Sequence, residues 1–268
     1  MTLSLTRSTA RGRPVALPAD RPAVVIPQYS RRQILAVWAA AAIPMGLMAW
    51  VVAPFLADRI GGEAPLARML LVTLAIGLAW QFVLVMALVA REQRSLRWAV
   101  LKQALWLRRP QSPRTGRVGG RVWLVLIPMT VGLALEELLP HLPAAHGRDM
   151  GDFMNSAAGH HVFQGAWGWF AVCVALALFN TVLGEELLFR GFLLPRMEGA
   201  FGKRDWLANG VLFALYHLHT PWIIPLAVFD TLFLAYPARR YRSAVLPIIV
   251  HSVQSVVILA GVLALVVG

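Results

Sequence analysis

The stretch AWGWFAVCVALALFNTVLGEELLFRGFLL, residues Ala166–Leu194, decides the fold. Apart from Asn180, Thr181, Glu185, Glu186 and Arg190, it holds only apolar residues and glycine. At about 1.5 Å of rise per helical residue it outspans a hydrocarbon core of about 30 Å, so it reads as a transmembrane helix. An ionised side chain at the centre of a span costs roughly 2.5–3.5 kcal/mol on insertion scales. Two carboxylates and a guanidinium inside one span therefore need a reason.

Working outward, similar apolar runs cover residues 34–57, 69–90, 121–138, 205–219, 222–237 and 244–267. The chain is 58% hydrophobic and only 14% charged, with a mean hydropathy of +0.64. Soluble domains are closer to half apolar and about a quarter charged. These features predict an all-α, polytopic membrane helical bundle of about seven transmembrane helices. The fifth and sixth runs are short and separated only by HTP, residues 219–221, which suggests a re-entrant or tightly turned pair.

The formal charge of +12 would suit a nucleic-acid partner if it were gathered on one face. Instead it alternates along the chain. Arg7, Arg11, Arg13, Arg21, Arg31 and Arg32 precede the first run, and the segments 91–120, 195–204 and 238–243 are basic. Alternation of this kind orients a membrane protein with its basic loops inside. The expectation is an integral, multi-pass protein of a bacterial-type plasma membrane, with a cytoplasmic N-terminus and no nucleic-acid partner. Three regions follow: a disordered basic tail over 1–30, N-terminal transmembrane helices with a basic interfacial segment over 31–164, and a transmembrane core over 165–268. Within the second, QRSLRWAVLKQALWLRR, residues 93–109, reads as an amphipathic helix whose Arg94, Arg97 and Lys102 reach anionic membrane lipid. The lone Cys173 allows neither an intrachain disulfide nor a cysteine metal site.

The ionisable groups inside the runs share one depth. Glu185 lies about 15 Å from the basic side, His217 about 20 Å beyond Arg204 and His251 about 14 Å beyond Arg242. Glu186 and Arg190 stand at i,i+4 with the acid nearer the N-terminus, the favourable order for a pair on one helix. Phe213 and His217 share that spacing, and Gln254 and Ser255 lie within one turn of His251. A carboxylate and two imidazoles in a low-dielectric cavity can activate water, with or without a metal. The bland reading, a polar side chain bonded to a neighbouring helix, fits Gln81, Asn180 and His219. Asp230 is expected to contact a histidine or arginine. In LEELLPH, residues Leu135–His141, the acids Glu136 and Glu137 lie at the wet end of a span and read as structural.

In order, EELLFR (Glu185–Arg190), FALYH (Phe213–His217) and HSVQS (from His251) resemble EExxxR, FxxxH and HxxxN. These mark the CAAX-protease and bacteriocin-processing family of intramembrane proteases, which includes Abi-type proteins. Ser255 stands where that family has asparagine. The resemblance covers roughly residues 165–268 and implies a peptidase sunk in the bilayer, open to the cytosol or to lipid. Carried over, Glu185 is the general base, assisted by His217. His251, with Ser255 or Gln254, stabilises the oxyanion, while Glu186, Arg190 and Phe213 support. Glu185, His217 and His251 are also a candidate zinc set, although no HExxH string occurs and Arg190 disfavours a nearby dication. The expected activity is hydrolysis of a membrane-associated peptide or protein by glutamate-activated water. The alternative is a non-enzymatic immunity or scaffold protein, or a proton-coupled carrier, using the same residues.

Overall fold

The computed structural model describes residues 24–268, so residues 1–23 of the expected tail lie outside the described range. Among the described residues the regular structure is helical, apart from one isolated bridge between Gln111 and Val118. We label α1 Arg31–Ile60, α2 Pro65–Gln93, α3 Trp98–Ala104 and α4 Gly120–Ala134. Next come two short helices, α5 Met150–Asn155 and α6 Ala157–Phe163. The chain then continues through α7 Trp167–Arg196, α8 Asp205–Tyr216, α9 Pro221–Tyr241 and α10 Val245–Val267. Helices α1, α2, α7, α9 and α10 are long and apolar enough to cross a membrane. With the shorter α4 and α8 they make up the seven runs, and the protein is a multi-pass membrane helical bundle.

Two groups of contacts fix the ends of the bundle. At the basic end, Tyr29 donates to Glu92, whose carboxylate also accepts from Arg196 Nε at 3.0 Å. Burial and the adjacent Glu92 carboxylate raise the Tyr29 phenol, so it remains a neutral donor. Residues 24–30 lack regular structure but lie against the bundle here: the Tyr29 amide donates to the Arg196 carbonyl at 2.9 Å, and Gln28 donates to the Pro195 carbonyl at 2.9 Å. Ser30 then caps α1 in a reciprocal pair with Gln33. Helix α3 is more than a headgroup anchor. Trp98 is exposed, but Ala104 and Leu105 are buried in the main core beside α7.

At the opposite end, Trp50 donates to the Leu218 carbonyl at 2.9 Å and Arg148 to the Ala49 carbonyl at 2.9 Å. The core between the two ends is built from α1, α2, α7 and α8, with Ile34, Met45, Leu78, Leu188, Phe192 and Tyr216 fully or nearly fully buried. Lipid tails are as apolar as these side chains, so small residues at crossings and polar contacts hold such helices together. Gly184 and Gly210 do the former. A Cβ on Gly184 would lie 3.3 Å from the Leu78 carbonyl oxygen of α2, and one on Gly210 would overlap Thr231 of α9 at 2.0 Å.

Helix α7 is not a uniform α-helix. Leu178–Gly184 and Leu187–Leu193 are wound as π-helix, leaving Glu185 and Glu186 between two widened segments. Wide turns of this kind are rare and concentrate at functional sites. The turn between α8 and α9 is tight, formed by 3₁₀ segments at His217–His219 and Pro221–Ile223.

Candidate active site

Helices α7, α8, α9 and α10 and the end of the α4 run close around a cavity of about 460 Å³. Its walls carry Glu185 and Asn180 from α7, His217 from the end of α8, Asp230 from α9, and His251 and Gln254 from α10. Its partly exposed rim includes Glu136, Arg148 and Trp222, at the end of the bundle away from the basic loops. Of the site residues inferred from the motifs, Glu185, Phe213, His217, His251 and Gln254 line this chamber, while Glu186, Arg190 and Ser255 do not.

Two buried carboxylates face different ways. Glu186 turns into the protein, where its Oε1 lies 3.1 Å from Arg190 Nη1, both side chains being 0% exposed. The same oxygen accepts from His251 Nδ1 at 3.1 Å. The Arg190 guanidinium lies 3.9 Å from the Phe213 ring centroid, a cation–π contact that helps hold a charge without water. Arg190 Nη1 is close enough to Glu186 for an ion pair, yet misaligned for a hydrogen bond.

Glu185 turns to the chamber. Its Oε1 lies 3.8 Å from His217 Nε2, and its carboxylate lies beside the Tyr216 hydroxyl. Tyr216, fully buried, accepts in turn from Gln81 Nε2 of α2 at 2.6 Å. The His217 ring is set by its own helix. Its Nδ1 lies 2.9 Å from the Phe213 carbonyl, which can only accept, so the proton sits on Nδ1 and Nε2 faces Glu185. The Phe213 ring meets the imidazole edge to face at 4.8 Å. By the same reasoning the Glu186 carboxylate fixes a proton on His251 Nδ1, leaving its Nε2 free.

Several placements differ from expectation. On α10, His251, Gln254 and Ile258 line the chamber, and Ser255 is not part of that face. Among the described residues Asp230 makes no bond to a histidine or arginine: its Oδ1 is buried with no hydrogen-bond partner there. His219 bonds the Tyr216 carbonyl at 3.2 Å, a local contact, but it also stacks on His217 and lines the chamber. Glu136 and Asn180, read as structural, lie on the chamber wall too. The Tyr216 contact to Glu185 went unread, although Tyr216 sits inside FALYH next to His217.

The donor geometry does not fit a catalytic zinc. Such a site takes three protein ligands on one ion. Glu185 and His217 face each other, but no cluster of three His, Cys, Asp or Glu that could hold one metal ion occurs among the described residues.

Residues 167–257 match the family model described as "Type II CAAX prenyl endopeptidase Rce1-like". Comparison with curated proteins and with solved structures gave no match. The matched segment runs from the start of α7 into α10 and holds Glu185, Glu186, Arg190, Phe213, His217 and His251. This match over about a third of the chain is consistent with an Rce1-like domain of the CAAX-protease family, a family of peptidases.

Proposed function

We propose that this protein is an intramembrane endopeptidase that hydrolyses a peptide bond of a membrane-associated peptide or protein by glutamate-activated water, without a metal. The observation that carries the reading is the 3.8 Å gap between Glu185 Oε1 and His217 Nε2 on the wall of one chamber. The gap is too wide for a direct hydrogen bond and suits one water bonded to both atoms.

In this mechanism the water donates one hydrogen to Glu185 and the other to His217 Nε2, which aims its lone pair at the scissile carbonyl. Glu185 takes a proton as the water oxygen adds to the carbonyl carbon. The resulting oxyanion accepts from Gln254 or from the Nε2 side of a protonated His251. Collapse of the tetrahedral intermediate breaks the C–N bond, and Glu185 returns its proton to the leaving nitrogen. The products are one carboxyl and one amine terminus. Tyr216 holds the Glu185 carboxylate, and Glu186 with Arg190 holds His251.

With the basic loops and N-terminus placed in the cytoplasm, the chamber rim at Glu136, Arg148 and Trp222 faces the other side, so substrate enters from outside or from the lipid. A bacterial-type plasma membrane fits this orientation. The carrier and scaffold readings use the same ionisable residues but assign no role to the Glu185–His217 spacing.

The test is cleavage of a membrane-peptide library by the purified protein in proteoliposomes. Glu185→Gln should lower kcat by about 10²–10⁴, the usual worth of a general base, while thermal unfolding stays close to that of the unsubstituted protein. Turnover that survives both Glu185→Gln and His217→Ala overturns the mechanism.

A further inference from the structure

Asp230 is a buried acid without a cation. It ends the first helical segment of α9, just before the turn at 231–234, and only 9% of it is exposed. Its Oδ1 has no hydrogen-bond partner, while the residue lines the chamber that holds Glu185, His217 and His251. Removing an ion from water costs several kcal/mol unless another charge or a set of hydrogen bonds offsets it.

The nearby cations of the chain are engaged elsewhere. Arg190 is turned to Glu186 and Phe213. Arg148, at the rim, donates to the Ala49 carbonyl and lies 4.0 Å from the Trp50 ring centroid. His251 gives its Nδ1 to Glu186. A second acid, Glu136 at the end of the α4 run, lines the same chamber. Asp149, also on the rim, is occupied in capping α5, where it accepts from the Asp152 amide at 2.8 Å. Among the described residues, no arginine or lysine is bonded to Asp230.

From this geometry we propose that Asp230 forms a recognition pocket for a cationic side chain of the substrate, a lysine or arginine within a few residues of the scissile bond. The inference rests on the peptidase reading and adds a substrate class to it. An ammonium or guanidinium brought into the chamber offsets the charge of the Asp230 carboxylate, and an uncharged side chain of equal length leaves Asp230 as it was. Selectivity arises because the buried acid is satisfied by one class of side chain alone.

The experiment uses full-length protein in detergent and a panel of labelled decapeptides, identical except for one scanned position set to lysine, norleucine or glutamate. The readout is the lysine-to-norleucine ratio of kcat/KM, so a general loss of folded enzyme cancels. We expect a ratio of about tenfold or more at one scanned position, as for a desolvated charge pair, falling to within twofold in Asp230→Asn. A parallel arm measures peptide affinity on Glu185→Gln, with and without Asp230→Asn, and reads recognition in the absence of turnover. Lysine preference in binding without hydrolysis by the unsubstituted protein keeps the pocket and removes the peptidase reading. Hydrolysis with no lysine preference at any position, or a preference that persists in Asp230→Asn, overturns the pocket and leaves the peptidase reading in place.

Discussion

Replacing Glu186 by glutamine removes the one full negative charge that Arg190 and His251 share. The guanidinium is 0% exposed and 3.1 Å from the Glu186 carboxylate, so the substitution strands it in a dry interior. At an effective dielectric of about 20, a contact of this length is worth about 5 kcal/mol of Coulomb energy. Breaking one partner of such a pair costs about 3–5 kcal/mol in practice. The partner substitution, Arg190→Met, strands the carboxylate instead and also loses the contact with Phe213 at 3.9 Å, worth about 2 kcal/mol when desolvated. The double variant, Glu186→Gln with Arg190→Met, buries no charge from this pair and should lie within about 2 kcal/mol of the unsubstituted protein. The two changes therefore couple strongly rather than add. SDS-driven unfolding, followed by circular dichroism and tryptophan fluorescence, measures all four corners of the cycle. A Glu186→Gln variant as stable as its parent, or a double variant whose losses simply sum, would refute the buried pair. The double variant should still hydrolyse poorly, because stability can return without the carboxylate that orients His251.

Two further outcomes follow from the site. Tyr216→Phe removes the hydroxyl beside the Glu185 carboxylate, and if that polar contact is worth about 1–1.5 kcal/mol it should lower kcat about five- to tenfold with KM nearly unchanged. Gln81→Leu should act in the same direction but less, and a KM effect at constant kcat in steady-state assays would contradict a positioning role. Prolonged dialysis against a strong chelator should leave both peptide hydrolysis and thermal unfolding unchanged. Loss of activity that added zinc restores would overturn the metal-free mechanism.

The helices were legible because their signal is length against a fixed bilayer thickness, which needs no knowledge of partners. The i,i+4 placements of Glu186 with Arg190 and Phe213 with His217 were legible for a similar reason: both members lie on one helix. Contacts across helices were not. Gln81 and Tyr216 are far apart in sequence, and nothing in either neighbourhood announces the other. The face on which Glu185 lies was hidden by the assumption of a regular helix. The π-wound segments at Leu178–Gly184 and Leu187–Leu193 alter the angular step on both sides of the Glu pair. Asp230 was misread because an intramembrane acid ordinarily has a partner, and the rule that predicts one does not say which molecule supplies it.

The division of labour along the chain has a physical origin. The Rce1-like segment, residues 167–257, contributes Glu185, His217 and His251, but it does not set their geometry alone. Gln81 of α2 anchors Tyr216, and α7 comes close to α2 because Gly184 has no side chain to hold the Leu78 carbonyl away. Arg148 and Glu136, also outside the segment, complete the rim. In lipid no hydrophobic force presses these helices together, so polar contacts and close small-residue crossings determine where the Glu185 carboxylate stands. A fragment limited to 167–257 would keep the three motifs but lose the donor behind Tyr216 and part of the chamber wall. The motif residues and the contacts that shape the chamber are thus encoded in different parts of the chain, so chains that share only the motifs can differ in the chamber around them.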